Sequence, residues 1–247
     1  MNPHAAPEPP AAEVRFPYWS YHDLLLFAAL AVPCLFAGAL VVQLAVLLAP
    51  FYPDTKAARL IPAQFIAYGL WFLSLYYLLK TKYGRPFWAS MAWVARAPDI
   101  AWGMFAGPAV ALAIAVLGVI LRTPDIDMPM KELLQSRSSL LLMGFFAVTL
   151  GPLCEELAFR GFLMPLLART FGDLAAIVLA ALPFAVLHGP QYAWSWRHML
   201  LILLAGIAFG WVRFRTGSTA VATAMHGTYN LTFFAAFLMQ ERTPQIS

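Results

Sequence analysis

The chain has 247 residues, of which 62% are hydrophobic and only 11% charged, against about 25% charged in an ordinary soluble domain. With a mean hydropathy of +0.72, this excludes a purely soluble domain and predicts an all-α protein that crosses the bilayer several times. The net charge of +4 is spread over connecting segments, with no basic patch interleaved with aromatics, so no nucleic-acid partner is expected.

Residues 1–19 are rich in Pro and Ala and read as a disordered tail, without the basic start and small-residue cleavage site of a signal peptide. A bilayer span takes about 20 mainly apolar residues. Seven runs meet or approach that length: 24–49, 60–79, 100–121, 139–167, 174–193, 198–214 and 218–239. The fifth is interrupted by Pro183 and by "HGP" at 188–190. Between the second and third runs, "RPFWASMAWVARAP" (85–98) sets aromatics between arginines and predicts an amphipathic helix lying in the interface. Residues 122–138 read as a loop with a short amphipathic helix. Either the interfacial segment or a split of the long fourth run near Gly151-Pro152 would add a span, so seven to eight membrane helices are expected. Basic residues favour one side: Lys80, Lys82, Arg85, Arg96, Arg169, Arg213 and Arg215 fall together, which predicts a multi-pass inner- or plasma-membrane protein with a cytoplasmic N-terminus. Cys34 and Cys154 sit in separate apolar runs and read as small packed residues. Gly103–Gly107 and Gly206–Gly210 form two GxxxG patterns and predict close helix packing.

Ten of the twelve acidic residues lie in the tail, in loops or at span ends. The other two, Glu155 and Glu156, fall inside "GPLCEELAFRGF" with Arg160. Burying an ionised side chain at mid-bilayer costs about 2.5–3.5 kcal/mol on insertion scales, so these groups need partners or a task. Glu156 and Arg160 stand at i, i+4 and can pair. Glu155 is turned by about 100° and is left outside that pair. His188 and His226 also lie in apolar runs, and Asn230 follows His226 by one helical turn.

Counting 1.5 Å per residue from the basic loops puts Glu155, His188 and His226 at depths of about 21, 22 and 16 Å. Three spans that place their polar residues at similar depth point to one shared site. Two assemblies of these residues are open. In one, Glu155 and His188 activate a water while His226 and Asn230 donate to the oxyanion of a tetrahedral intermediate. In the other, Glu155, His188 and His226 bind Zn²⁺, which activates the water. Both hydrolyse an amide.

"EELAFR" (155–160) fits EExxxR, "FAVLH" (184–188) fits FxxxH and "HGTYN" (226–230) fits HxxxN. In this order on successive apolar runs they resemble the CPBP family, the CAAX-prenyl-protease and bacteriocin-processing (Abi) intramembrane endopeptidases. The resemblance implies a helical membrane core with the site in an interhelical cavity. It implies peptide-bond cleavage in a membrane-associated protein or peptide, a prenylated CAAX protein being one class. Carried over by motif, Glu155 and His188 would activate water, Glu156 and Arg160 would support the site, and His226 and Asn230 would form the oxyanion pocket. The chain then divides into the tail (1–19), N-terminal membrane helices with their loops (20–138) and a catalytic membrane core (139–240). The competing expectation is a non-enzymatic membrane protein, a transporter or immunity factor, whose Glu/Arg/His cluster is structural or binds a ligand.

Overall fold

The computed structural model describes residues 16–49, 51–53, 55–126 and 137–242, and every regular element among them is helical. Helix α1 (Tyr21–Leu48) starts where Asp23 turns back to accept the Ser20 N–H at 2.8 Å, which satisfies a donor that the first helical turn leaves open. α2 (Lys56–Tyr77) is capped by the Thr55 hydroxyl, which accepts from the Ala58 N–H at 3.2 Å, and runs on through a π-turn, Leu78–Lys82. A single turn, α3 (Phe87–Ser90), precedes α4 (Ala97–Ile120).

The long fourth run is one continuous helix over Ser139–Phe171. It is built from α5 (Arg137–Phe145), a π-segment (Phe146–Leu150), α6 (Gly151–Glu156), a second π-segment (Leu157–Leu163) and α7 (Met164–Phe171). The expected split at Gly151-Pro152 does not occur. The wide π-turn just before Pro152 absorbs its missing N–H, the usual structural use of a π-bulge. α8 (Asp173–Leu187), a 3₁₀ turn (Gly189–Tyr192), α9 (Trp196–Thr216) and α10 (Thr219–Arg242) complete the chain. The step from α9 to α10 turns on Gly217, whose φ of 65° is a left-handed conformation that suits glycine.

Of the seven to eight membrane helices expected, five are supported. Among the described residues, five helices are long and apolar enough to cross a membrane: Tyr21–Leu48, Lys56–Lys82, Ala97–Ile120, Ser139–Phe171 and Trp196–Thr216. The 174–193 run folds into α8, whose 15 residues span about 22 Å, short of an apolar core about 30 Å thick. The 218–239 run is a 24-residue helix, but His226, Asn230 and its threonines keep it out of the most apolar class.

The interfacial helix expected over 85–98 is also corrected. Ahead of α4, which begins at Ala97, only the turn Phe87–Ser90 is helical there, because Pro86 opens the turn and Ala92 takes a left-handed φ of 49°. Phe87 and Met91 are buried against α1 and α2 residues rather than laid on a surface. At the N-terminus, Trp19 is fully buried, so the packed chain begins inside the segment read as tail; residues 1–15 of that tail lie outside the described residues. So does most of the helix expected within 122–138.

Two apolar clusters flank the middle of the 139–171 helix. One joins Trp19, Phe27, Leu75 and Leu79 to Leu157 and Phe162. The other gathers Ile114, Phe184, Phe209, Val221 and Met225. α10 packs along α4 and across the 146–163 stretch, while α8 packs on α9. Both GxxxG patterns serve those close approaches. A Cβ on Gly107 would fall on Thr228 Oγ1 and the Met225 carbonyl oxygen, and one on Gly210 would press on Ile177.

The basic residues expected on one side meet at one end. Lys82 pairs with Asp23, Arg85 lies over the Tyr18 ring, Arg169 donates to the Pro17 carbonyl oxygen and Arg213 donates to Thr219. The opposite end holds Arg59 on Gln43 and Arg197 on the Arg122 carbonyl oxygen.

Candidate active site

Glu155 and Glu156 close α6, one turn before Arg160 in the π-segment. Glu156 is 0% exposed and Arg160 1%. Arg160 Nη1 donates to Glu156 Oε1 at 2.9 Å, the i, i+4 pair expected from the sequence. Its Nη2 donates to the Gly206 carbonyl oxygen on α9 at 2.6 Å. The guanidinium carbon lies 4.7 Å from the Phe184 ring centroid and 5.5 Å from that of Phe209. The cation thus exchanges water for a carboxylate, a carbonyl and aromatic faces, each of which offsets part of its desolvation.

Glu156 Oε1 has a second partner. His226 Nδ1, on α10, lies 2.9 Å from it. A carboxylate oxygen accepts, so Nδ1 carries the proton and donates, which fixes the orientation of the imidazole. The opposite ring nitrogen, Nε2, faces Glu155 Oε2 at 3.7 Å. The ring is stacked on Phe209, centroids 4.4 Å apart. Glu155 differs from its neighbour: its side chain is 24% exposed at the edge of the cluster, where it also faces the buried imidazole. The sequence-level division between a paired and an unpaired glutamate thus has a geometric counterpart.

His188 is the C-cap of α8 and ends that short helix. Its Nδ1 lies 2.7 Å from the Phe184 carbonyl oxygen. A carbonyl only accepts, so Nδ1 carries the proton and a neutral ring presents Nε2 as a lone-pair base. Among the described residues, no hydrogen bond or ion pair joins His188 to Glu155, Glu156 or His226. The link runs through Phe184, whose ring centroid is 4.7 Å from that of His188 and 5.8 Å from that of His226. Asn230 Nδ2 donates to the Ala147 carbonyl oxygen at 2.7 Å, tying α10 to the first π-segment and leaving the amide's second hydrogen for another acceptor.

Among the described residues no group of three His, Cys, Asp or Glu side chains is placed to hold a metal ion. The zinc set Glu155, His188 and His226 does not fit as ligands. Glu155 faces His226 Nε2, but His188 stands apart across Phe184 and is not gathered with them. Cys34 and Cys154 are both free thiols.

Two aromatics of the site were given no role from the sequence. Phe184 touches Arg160, His188 and His226 together, and its signal was present one turn before His188. Phe209 lies under the His226 ring and is indistinguishable in sequence from other span aromatics.

Fold and site define a multi-pass helical membrane protein with a buried Glu/Arg/His cluster and one partly exposed glutamate beside it. Residues 137–232 match the family described as type II CAAX prenyl endopeptidase Rce1-like. All six candidate residues fall inside that match. No curated protein and no solved structure shows a significant match to the chain.

Proposed function

We propose that the chain is an intramembrane endopeptidase, with residues 139–240 as its catalytic core and a membrane-associated protein or peptide as substrate. The observation that carries this reading is the contrast at 155–156. Glu156 is fully buried and holds both Arg160 and His226, while Glu155 stands partly exposed at the edge. A structural staple accounts for Glu156 and Arg160 and would serve a transporter or immunity factor equally well. It gives Glu155 no task.

The chemistry follows from the proton inventory. In this mechanism His226 carries a proton on each ring nitrogen, so that Nδ1 donates to Glu156 while Nε2 donates to an oxyanion. Glu155 removes a proton from water as it attacks the peptide carbonyl; His188 Nε2, which no bond joins to Glu155 here, is assigned the partner role on the FxxxH motif. The oxyanion that forms accepts from His226 Nε2–H, whose positive charge Glu156 balances from the other side of the ring. The free N–H of Asn230 is the second donor. Glu155 then returns the proton to the leaving amine. The family match supports a prenylated CAAX substrate as the class to try first. The basic end at Lys80–Arg96 supports a cytoplasmic N-terminus.

The test is cleavage of prenylated CAAX peptides by the purified protein, read by mass as release of the C-terminal tripeptide, against Glu155→Gln. A fall of at least about 100-fold with an unchanged unfolding midpoint is expected from loss of the general base. Undiminished cleavage by Glu155→Gln would remove the basis of the mechanism.

A further inference from the structure

The segment before α1 does more than enter the membrane. Trp19 is fully buried, and its indole N–H donates to the Phe162 carbonyl oxygen at 3.0 Å. Its ring is stacked on Phe162 with centroids 5.1 Å apart. Phe162 lies in the π-segment Leu157–Leu163, which begins directly after Glu156 and contains Arg160. Three more bonds tie the same short stretch to the same helix. Arg169 Nη1 donates to the Pro17 carbonyl oxygen at 2.6 Å, and the Tyr21 hydroxyl meets Thr170 Oγ1 at 2.7 Å and the Leu166 carbonyl oxygen at 3.4 Å. The stretch is itself anchored. Buried Asp23 accepts from Ser20, Lys82 and Tyr83, and Tyr18 bonds Ser90.

We propose that residues 16–23 form a latch that holds the second π-segment and so positions Glu155 and Glu156, with Trp19 as its positioning residue. A π-turn is a poor resting geometry for a helix and persists only where neighbours hold it. Here it is gripped from two sides. Arg160 is drawn toward α9 by the Gly206 carbonyl oxygen, and Phe162, two positions on and about 200° around the helix, is drawn toward Trp19. If the Trp19 side lets go, the segment can relax toward a regular α-helix. That rotates what precedes it by part of a turn and shifts Glu155 away from His226. The latch touches neither His226 nor the substrate-facing residues, so its loss acts on turnover and spares substrate binding.

The kinetic half of this inference rests on the endopeptidase reading; the structural half does not. The experiment therefore has two arms on the full-length protein in nanodiscs. In the first, amide hydrogen exchange is followed over 157–163. Trp19→Phe keeps a stacking ring and removes the indole N–H. One hydrogen bond of ordinary net strength corresponds to an exchange rate about 2- to 12-fold faster. Trp19→Ala should exceed it. In the second arm, Trp19→Phe should lower kcat on a prenylated peptide by a similar factor with KM unchanged within about twofold. Tyr52→Phe is the control: it deletes the bond from the Tyr52 hydroxyl to the Ala58 carbonyl oxygen at the far end of α2 and should change neither arm. Unchanged exchange in both Trp19 variants would overturn the latch. Faster exchange with wild-type kcat would overturn its role in positioning. Absence of cleavage by the wild-type protein would count against the endopeptidase reading alone, and the exchange arm would still decide whether the latch holds the helix.

Discussion

Replacing Arg160 by Met tests whether the buried cluster is energetically one unit. The side chain is 1% exposed, and its two strong bonds go to Glu156 Oε1 at 2.9 Å and the Gly206 carbonyl oxygen at 2.6 Å. Arg160→Met leaves Glu156, at 0% exposure, with His226 as its remaining partner. Removing one member of a buried pair costs about 3–5 kcal/mol, because the other charge stays behind without compensation. Glu156→Leu strands the guanidinium in the same way and should cost a similar amount. The double variant removes both charges. It leaves two buried groups, the His226 Nδ1–H and the Gly206 carbonyl oxygen, without those partners, about 2–6 kcal/mol at about 1–3 kcal/mol each. The singles sum to about 6–10 kcal/mol, so the middle of these ranges gives a coupling of about 4 kcal/mol from the cycle. Unfolding midpoints and slopes in a denaturing-detergent titration of the four proteins give the four free energies. If the two losses add to within about 0.5 kcal/mol, as for residues that do not interact, the cluster is not coupled and the role given to Glu156 fails.

Gly107→Ala should destabilise by about 1–3 kcal/mol, the usual cost of overpacking, since its Cβ would meet the α10 backbone 2.8 Å from the Tyr229 nitrogen; because α10 carries His226, turnover should fall with it. Gly69→Ala, with nothing within 4 Å of the new Cβ, should leave both unchanged, and thermal unfolding with a cleavage assay checks the pair. Phe209→Ala removes the ring under His226 and one face of the Arg160 site and should cost about 3–5 kcal/mol in the same titration. Chelator-treated protein shown by metal analysis to be free of transition metals should keep full activity; activity that vanishes and returns with added Zn²⁺ would contradict the ligand-fit argument. Burial, and next the bond to Asp23, raises the Tyr83 phenol above its ordinary value of 10.0. Its contribution is therefore complete below the unfolded value and is lost as pH rises through the folded one, so the fall in unfolding midpoint at strongly alkaline pH should be smaller in Tyr83→Phe than in wild type.

Much of this protein is legible along the chain. Composition shows a multi-pass helical membrane protein. The spacing of Glu156 and Arg160 by four residues yields their ion pair, because a helical turn places those side chains together whatever surrounds them. Counting residues from the loops brings Glu155 and His226 to one level, since helical rise is constant. The GxxxG patterns mark close helix contacts for the same local reason: a missing side chain leaves room at each turn. Tertiary structure decided what depends on neighbours distant in sequence. His226 is held by Glu156 through its Nδ1, so the glutamate read as a support also orients an imidazole. His188 is separated from the others by Phe184, a distance that depth alone does not fix because it depends on rotation about the α8 axis. Trp19, placed by composition in a disordered tail, is buried against Phe162. Periodicity specifies the face and height of a residue on its own helix; which faces meet is set by how all the helices pack at once, and no single segment carries that information.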